Sequence, residues 1–211
     1  MATQLEVGGL QVEVFDEAIA GHRRIVSDVS FALAPGQGLG ITGESGSGKT
    51  TLSLALSGLL PQAARISAKK IAIPMSPRLG NGSIRLDLPT TSRLDSLFRS
   101  LRGHHAFTLF QEPRASLNPY RTIGWQLNRC TGRASGASER LTTHHSPLTA
   151  LSEVGLDPDV MRHYPHELST GMCQRVFLAM ASLLGASILI ADEPFASVDL
   201  ETQDRLSALV R

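Results

Sequence analysis

The chain has 211 residues, a formal net charge of +1, 42% hydrophobic and 18% charged residues. That length suits one domain with room for a small inserted subdomain, and that balance allows a packed core and excludes bulk disorder. A charge this near zero argues against a surface that binds nucleic acid through its phosphates. Two cysteines, Cys130 and Cys173, are too few for a disulfide framework and fit a reducing compartment. The opening MATQLEVGGLQVEVF carries acids and alternates in polarity, unlike a signal peptide. No run of about 18 apolar residues occurs, so work at a membrane would require docking on other chains.

In chain order, Leu5, Val7, Leu10, Val12 and Val14 form a broken alternation that predicts one or two half-buried strands, and Val29, Phe31 and Leu33 repeat it. Pro35-Gly36 marks a turn. Gly38 to Thr42 reads as a short strand, and Thr51 to Leu60 as a helix stopped by Pro61. Gln62 to Asn81 reads as a strand plus an irregular excursion. Ile84, Leu86 and Leu88 alternate; Leu94, Leu97, Phe98 and Leu101 have helical spacing; Ala106 to Phe110 reads as a strand ending at Gln111. Residues 113–171 are polar and read as a mainly helical insertion, with helices near Gly124–Asn128 and Pro147–Val154. Gln174 to Leu184 predicts a buried helix, Ile188 to Ala191 a buried strand, and Val198 to Arg211 an amphipathic helix.

Two motifs carry chemistry. Gly43-Glu44-Ser45-Gly46-Ser47-Gly48-Lys49-Thr50 matches G-x-x-x-x-G-K-[ST] in full, and Thr51 follows it. Glycines permit torsions that let successive N–H groups point inward as an anion nest, and the next helix adds its positive end. Lys49 would bind β- and γ-phosphates as a point charge, and the Thr50 hydroxyl would be an oxygen ligand for Mg²⁺. A chance Gly/Ser loop is the competing reading; the apolar run before it and the helix after it supply the context the pattern requires.

The second motif, Ile188-Leu189-Ile190-Ala191-Asp192-Glu193-Pro194, is an apolar strand ending in two acids. Ligands gather at the carboxyl ends of strands in open parallel sheets, so Asp192 is expected beside the phosphate loop, holding Mg²⁺. Glu193 is then placed to orient or deprotonate an attacking water. A solvated acidic turn is the better reading of a lone Asp-Glu pair; a complete phosphate loop upstream reverses that preference.

His166-Glu167-Leu168-Ser169-Thr170-Gly171-Met172-Cys173-Gln174-Arg175 resembles the ABC signature, L-S-G-G-x-x-Q-R. Leu109-Phe110-Gln111-Glu112-Pro113 resembles the Q-loop, and Ser197-Val198-Asp199-Leu200 the D-loop, all in the family's order. Arg114-Ala115-Ser116-Leu117-Asn118-Pro119 and Tyr164-Pro165-His166-Glu167-Leu168 are similar to the ATPases of oligopeptide, dipeptide and nickel uptake systems. The resemblance implies an α/β fold: a P-loop ATPase core with a parallel sheet, an N-terminal antiparallel β portion and a helical subdomain inserted at 113–171, within a single domain over 1–211. It implies ATP and Mg²⁺ as ligands. Gly43 to Thr51, Ser169, Gly171 and Asp199 would contact nucleotide; Lys49, Gln111 and Glu193 would act in hydrolysis; Thr50, Gln111 and Asp192 would hold the metal. The implied partners are transmembrane permease subunits, a second ATP-binding subunit meeting this one head to tail, and indirectly a periplasmic or extracellular solute-binding protein. The implied place is the cytoplasmic face of the inner membrane.

The sequence departs from that pattern at several positions. Thr170 stands where the signature has its first glycine, and a β-branched residue disfavours φ > 0. Phe195 stands where threonine is usual. The adenine-stacking aromatic has no clear counterpart: His22 is the flat ring in the expected region, and Phe15 lies early. The family has a γ-phosphate histidine and further strands beyond the D-loop, and Pro194 to Arg211 contains no histidine. The expectation is therefore a domain incomplete at its C-terminus, with weak or absent hydrolysis by these residues alone. The rivals to an importer ATPase for peptides or nickel are a non-catalytic partner of a complete paralogue and a soluble, non-transport ATPase of the same class. His104-His105 and His144-His145 read as loop histidines rather than metal ligands.

Overall fold

The computed structural model describes residues 5–61, 63–74, 83–86, 106–134 and 146–192. The backbone divides into two compact units, residues 1–106 with Arg211 and residues 107–210.

The first unit is built on one long strand. β1 (Leu5–Asp16) pairs antiparallel with β2 (Gly21–Leu33) through a short 3-10 turn at Glu17–Ile19. On its other edge β1 pairs antiparallel with two short strands, β3 (Arg65–Ser67) and β4 (Lys70–Pro74), and β5 (Ser83–Leu86) pairs with β4. The broken alternation has a local cause. Gly9 sits at φ +63, and the β1–β2 register shifts between Val7 and Leu10, as at a β-bulge. The Gly9 amide is satisfied by the Ser30 hydroxyl at 2.9 Å. Val7, Leu10 and Val12 are buried despite the irregular spacing. Val26 on β2 pairs with Val12, so the buried β1–β2 face extends beyond the 29–33 run.

Pro35-Gly36 forms the expected turn: Gly36 has φ +77 and the Gln37 amide donates to Ala34 at 3.1 Å. Two expectations nearby are corrected. Gly38–Thr42 is not a strand: it has no ladder partner among the described residues, and Leu39 and Ile41 are 47% and 46% exposed. Apolar alternation is necessary for a strand, but hydrogen bonding to a neighbour makes one. The helix after the loop, α1 (Lys49–Ser57), starts two residues earlier and stops before Pro61. Gly58, at φ +64, ends it: its amide bonds back to Leu54 and Ala55, and that of Leu59 to Leu54, a glycine C-cap. The described residues of the 62–81 stretch, 63–74, form two strands, β3 and β4, rather than one.

In the second unit, β6 (Ala106–Leu109) and β7 (Ile188–Ala191) pair as a two-stranded sheet, and β7, expected to be buried, is half-buried over residues 188–190 and exposed at Ala191. Between them run α2 (Pro113–Ser116), α3 (Ile123–Ala134), α4 (Pro147–Glu153), two 3-10 turns (Pro158–Arg162 and Pro165–Glu167) and α5 (Thr170–Leu184). α5 begins four residues before the expected Gln174. Its Cys173, Val176, Phe177, Ala179, Met180 and Leu183 join Ile123 and Leu127 of α3 and Ala150 and Leu151 of α4 in one apolar core. Truncating one of these leucines to alanine costs about 2–5 kcal/mol. Close approach is required at Gly124, where an added β-carbon would stand 2.7 Å from the Met161 carbonyl. The readings at Leu94–Leu101 and Val198–Arg211 lie outside the described residues.

Candidate nucleotide site

The phosphate loop links the turn after β2 to the N-terminus of α1. Gly46 and Gly48 take φ +79 and +93, the left-handed region open to glycine. A β-carbon at Gly48 would meet the Ile25 carbonyl at 3.1 Å, and one at Gly43 would meet the Ser47 hydroxyl at 2.9 Å. The loop is therefore shaped by what its glycines lack. The Ser47 amide donates to Glu44 at 3.2 Å, closing the turn. Lys49 folds back over the loop: its ammonium donates to the carbonyls of Gly43 at 2.7 Å and Glu44 at 2.8 Å. That holds the cation over the loop carbonyls at an exposed surface. Thr50 lies exposed in the first turn of α1, and Thr51 is half-buried beside it.

The features fit a polyphosphate. Nothing lies within 4 Å of a β-carbon built at Gly46, so backbone can come close to a bound anion there. The N-terminus of α1 supplies positive potential and free amides. In the same unit Phe15 and His22 are paired across β1 and β2, with ring centroids 5.7 Å apart and edge to face. The hairpin removes the sequence distance that makes Phe15 look early. Phe15 is 47% exposed.

The second unit brings Gln111 and Asp192 together. β6 and β7 end side by side: the Asp192 amide donates to the Leu109 carbonyl at 3.1 Å, and Gln111 follows two residues beyond that carbonyl. Both side chains thus leave adjacent strand ends, Asp192 half-buried and Gln111 exposed. Carboxylate and amide oxygens are hard donors of the kind that Mg²⁺ takes. Glu193, Asp199 and Phe195, and the paired histidines at 104–105 and 144–145, lie outside the described residues.

The signature segment sits at the N-terminus of α5. Ser169 is its N-cap, and its hydroxyl accepts from the Met172 amide at 3.2 Å, satisfying one of the helix's free donors. Thr170 is the first helical residue and is not among the residues with positive φ. A β-branched side chain therefore meets no torsional conflict at that position. Gly171 follows in the first turn. Arg175 anchors the helix to the Gly155 carbonyl at 2.9 Å. The Cys173 side chain is fully buried, with its thiol 3.8 Å from the Pro165 carbonyl. Burial pushes that thiol up from its ordinary value, and the Arg114 guanidinium partly offsets the shift.

Other features escaped the sequence reading. Gln126 is buried and pins the 118–121 segment by three bonds: its amide donates to the Asn118 and Arg121 carbonyls and its oxygen accepts from the Asn118 amide. Tyr120 is 86% exposed and Trp125 45%. The guanidiniums of Arg121 and Arg129 lie 4.9 and 5.8 Å from the Trp125 ring centroid. A polar residue on a helix's buried face, as at Gln126, was the available signal for the first; nothing local marks the second. Among the described residues no helix is long and apolar enough to cross a membrane.

Comparison with known proteins points to the same family. The chain is 35% identical over 208 residues to the dipeptide transport ATP-binding protein DppD of Escherichia coli K12, covering 98% of this chain and 59% of the relative. It is 37% identical over 193 residues to the oligopeptide transport ATP-binding protein OppD of Salmonella typhimurium, covering 90% and 53%. A putative peptide import ATP-binding protein of Brucella abortus is 38% identical over 218 residues, covering 100% and 59%. The chain thus spans a little over half the length of these curated relatives. Among solved structures, the dimeric bacterial ABC transporter cassette MJ0796 superposes with a TM-score of 0.72 at 19% identity, covering 98% of this chain and 81% of that one. A dimer of the same cassette in a post-hydrolysis state, bound to ADP and Pi, gives 0.70. The α/β cassette fold is therefore shared. Residues 26–196 match the family model described as ABC transporter, and the chain belongs to that family.

Proposed function

We propose that this chain is the ATP-binding and ATP-hydrolysing part of a subunit that energises peptide import. The observation that carries the reading is the Gly43–Thr51 loop at the head of α1, with the Lys49 ammonium already turned into it. In this reading the loop amides and Lys49 bind the β- and γ-phosphates of ATP, and the Phe15–His22 pair offers a ring surface for the adenine. Thr50, Gln111 and Asp192 would hold Mg²⁺. When bound, the metal would neutralise charge on the phosphate oxygens. Glu193 would orient the attacking water and accept its proton as the bond to the γ-phosphorus forms and ADP leaves. Ser169 and Gly171, at the positive end of α5, would meet the γ-phosphate held by a second ATP-binding subunit, with Asp199 at the same contact.

The partners in this reading are that second subunit and the permease subunits, met at the cytoplasmic face of the membrane, and indirectly, through the permease, a periplasmic or extracellular solute-binding protein. The exposed Tyr120–Trp125 face, basic and aromatic, is the surface we assign to the permease. Peptide is the cargo class of the relatives named above, and it is the class we favour over nickel.

The test is Mg²⁺-dependent ATP hydrolysis by the purified protein beside its Glu193→Gln variant. Turnover lost in the variant with ATP binding retained supports the reading. ATP binding without turnover in the wild type would favour the non-catalytic alternative, and no binding would overturn both.

A further inference from the structure

Gln111 and the signature lie far apart in sequence, yet a side chain three residues after Gln111 reaches the backbone just before Ser169. α2 begins directly after Gln111-Glu112, with Pro113 buried at its first position. The short helix is tied to the residue before it by the Ser116 hydroxyl, which donates to the Glu112 carbonyl at 3.3 Å, and is closed at its own end by the Leu117 amide donating to Arg114 at 3.3 Å. It is thus continuous with the Gln111-Glu112 segment. From α2, the Arg114 guanidinium donates to the Leu168 carbonyl, 54 residues on. Leu168 is one peptide bond from Ser169, the cap of α5.

The turn receiving that bond is held by its own groups and by α5. The Tyr164 amide donates to the Glu167 carboxylate at 2.6 Å, the Leu168 amide to Pro165 at 3.3 Å, and the Cys173 thiol lies 3.8 Å from the Pro165 carbonyl. A guanidinium suits the task because it keeps its charge at any working pH and offers several planar donors at the end of a long side chain.

We propose that Arg114 is a positioning residue that links the Gln111 segment to the Leu168–Ser169 backbone, so that a displacement at Gln111 changes how the signature cap is presented. Its effect on turnover rests on the ATPase reading above; the link itself does not. Arg114 touches no reacting group in this proposal. It acts through the Leu168 carbonyl on Ser169.

The experiment uses the whole protein carrying Cys130→Ser, so that maleimide reports on Cys173 alone. Arg114→Met removes the donors at similar length, and Arg114→Lys keeps one. Each is made with and without Gln111→Ala. Arg114→Met also removes a guanidinium that favours the Cys173 thiolate, which alone would slow alkylation, so the roughly 5-fold faster alkylation expected of it reads as an opened turn, with Arg114→Lys restoring most of the wild-type rate. Gln111→Ala is expected to change that rate when Arg114 is present and to leave it within about 2-fold in Arg114→Met, a non-additive cycle. For ATP, Arg114→Met should lower kcat about 10-fold with KM within about 2-fold. Additive effects of the two substitutions on alkylation, or no rescue by lysine, would overturn the link. If the wild type hydrolyses no ATP, the function reading fails by itself, and the alkylation cycle still decides whether Arg114 couples the two segments.

Discussion

Gly48 backs directly onto Ile25: a β-carbon at position 48 would stand 3.1 Å from the Ile25 carbonyl oxygen and 3.4 Å from its γ-methyl. The backbone there is also at φ +93. Gly48→Ala therefore meets two costs, a torsion that L residues avoid by about 1–2 kcal/mol and a contact with immobile backbone. The expected outcome is a fall of roughly 10-fold or more in affinity for a fluorescent ATP analogue, together with a lower melting temperature. Alanine at 48 binding nucleotide like the wild type would mean that the loop adopts another shape when occupied.

The strong local signals in this chain were those written in adjacent residues. The phosphate loop, the Pro35-Gly36 turn and the β7 strand each declare themselves within a few positions. The failures have physical causes. Gly38–Thr42 has the composition of a strand, yet strand structure depends on a partner that no local pattern specifies. Pro61 looked like the helix stop because proline cannot continue a helix, whereas Gly58 had already ended it in the left-handed region. Ser169 could have been found as the start of α5 from its capping chemistry alone. The Phe15–His22 pairing depends on hairpin register, and the Arg114–Leu168 bond on packing across 54 residues.

Thr170 is the departure from the signature that most invites a loss-of-function reading, and the backbone argues otherwise. It is the first residue of α5 and is not among the positive-φ residues. Thr170→Gly should therefore relieve no strain. Glycine inside a helix costs up to about 1 kcal/mol relative to alanine, and less at the first position, so the variant should be neutral or slightly less stable. Ser169→Ala, which removes the cap, should cost about 1 kcal/mol. Thermal unfolding of the pair tests this ordering. A clear gain in stability from Thr170→Gly would mean that threonine is strained there.

Cys173 gives a prediction in pH. Its thiol is buried, and desolvation raises its pKa above the ordinary 9.0, Arg114 only partly offsetting the rise. The folded protein thus holds this proton more tightly than the unfolded chain does. The resulting stability is fully present below about pH 9.0 and is lost as pH climbs from there through the folded value. Melting temperatures of wild type and Cys173→Ala should therefore converge as pH rises from 8 toward 10, whatever the lysines and tyrosines common to both contribute. Parallel curves would show that the thiol ionises as readily folded as unfolded. At neutral pH the same protonation should leave Cys173 slow to alkylate.

The Trp125 face separates folding from assembly. Trp125 and Tyr120 are exposed, and the guanidiniums of Arg121 and Arg129 flank the indole at 4.9 and 5.8 Å. Cation–π contacts at exposed sites are worth about 0.5–1 kcal/mol, so Trp125→Ala or Tyr120→Ala should lower stability by no more than about 1 kcal/mol. Ile123, two residues away and fully buried in the helical core, provides the contrast: Ile123→Ala should cost about 2–5 kcal/mol. Trp, Tyr and Arg are the residues that dominate binding at protein interfaces, where a single one can carry 2 kcal/mol or more, roughly 30-fold in affinity. If this face meets the permease, Trp125→Ala should reduce recovery of the permease complex from detergent extracts at least 10-fold while the isolated subunit melts almost unchanged. Undiminished recovery with both aromatics removed would assign the permease contact to another surface and leave the two arginines as ordinary solvent-facing charges.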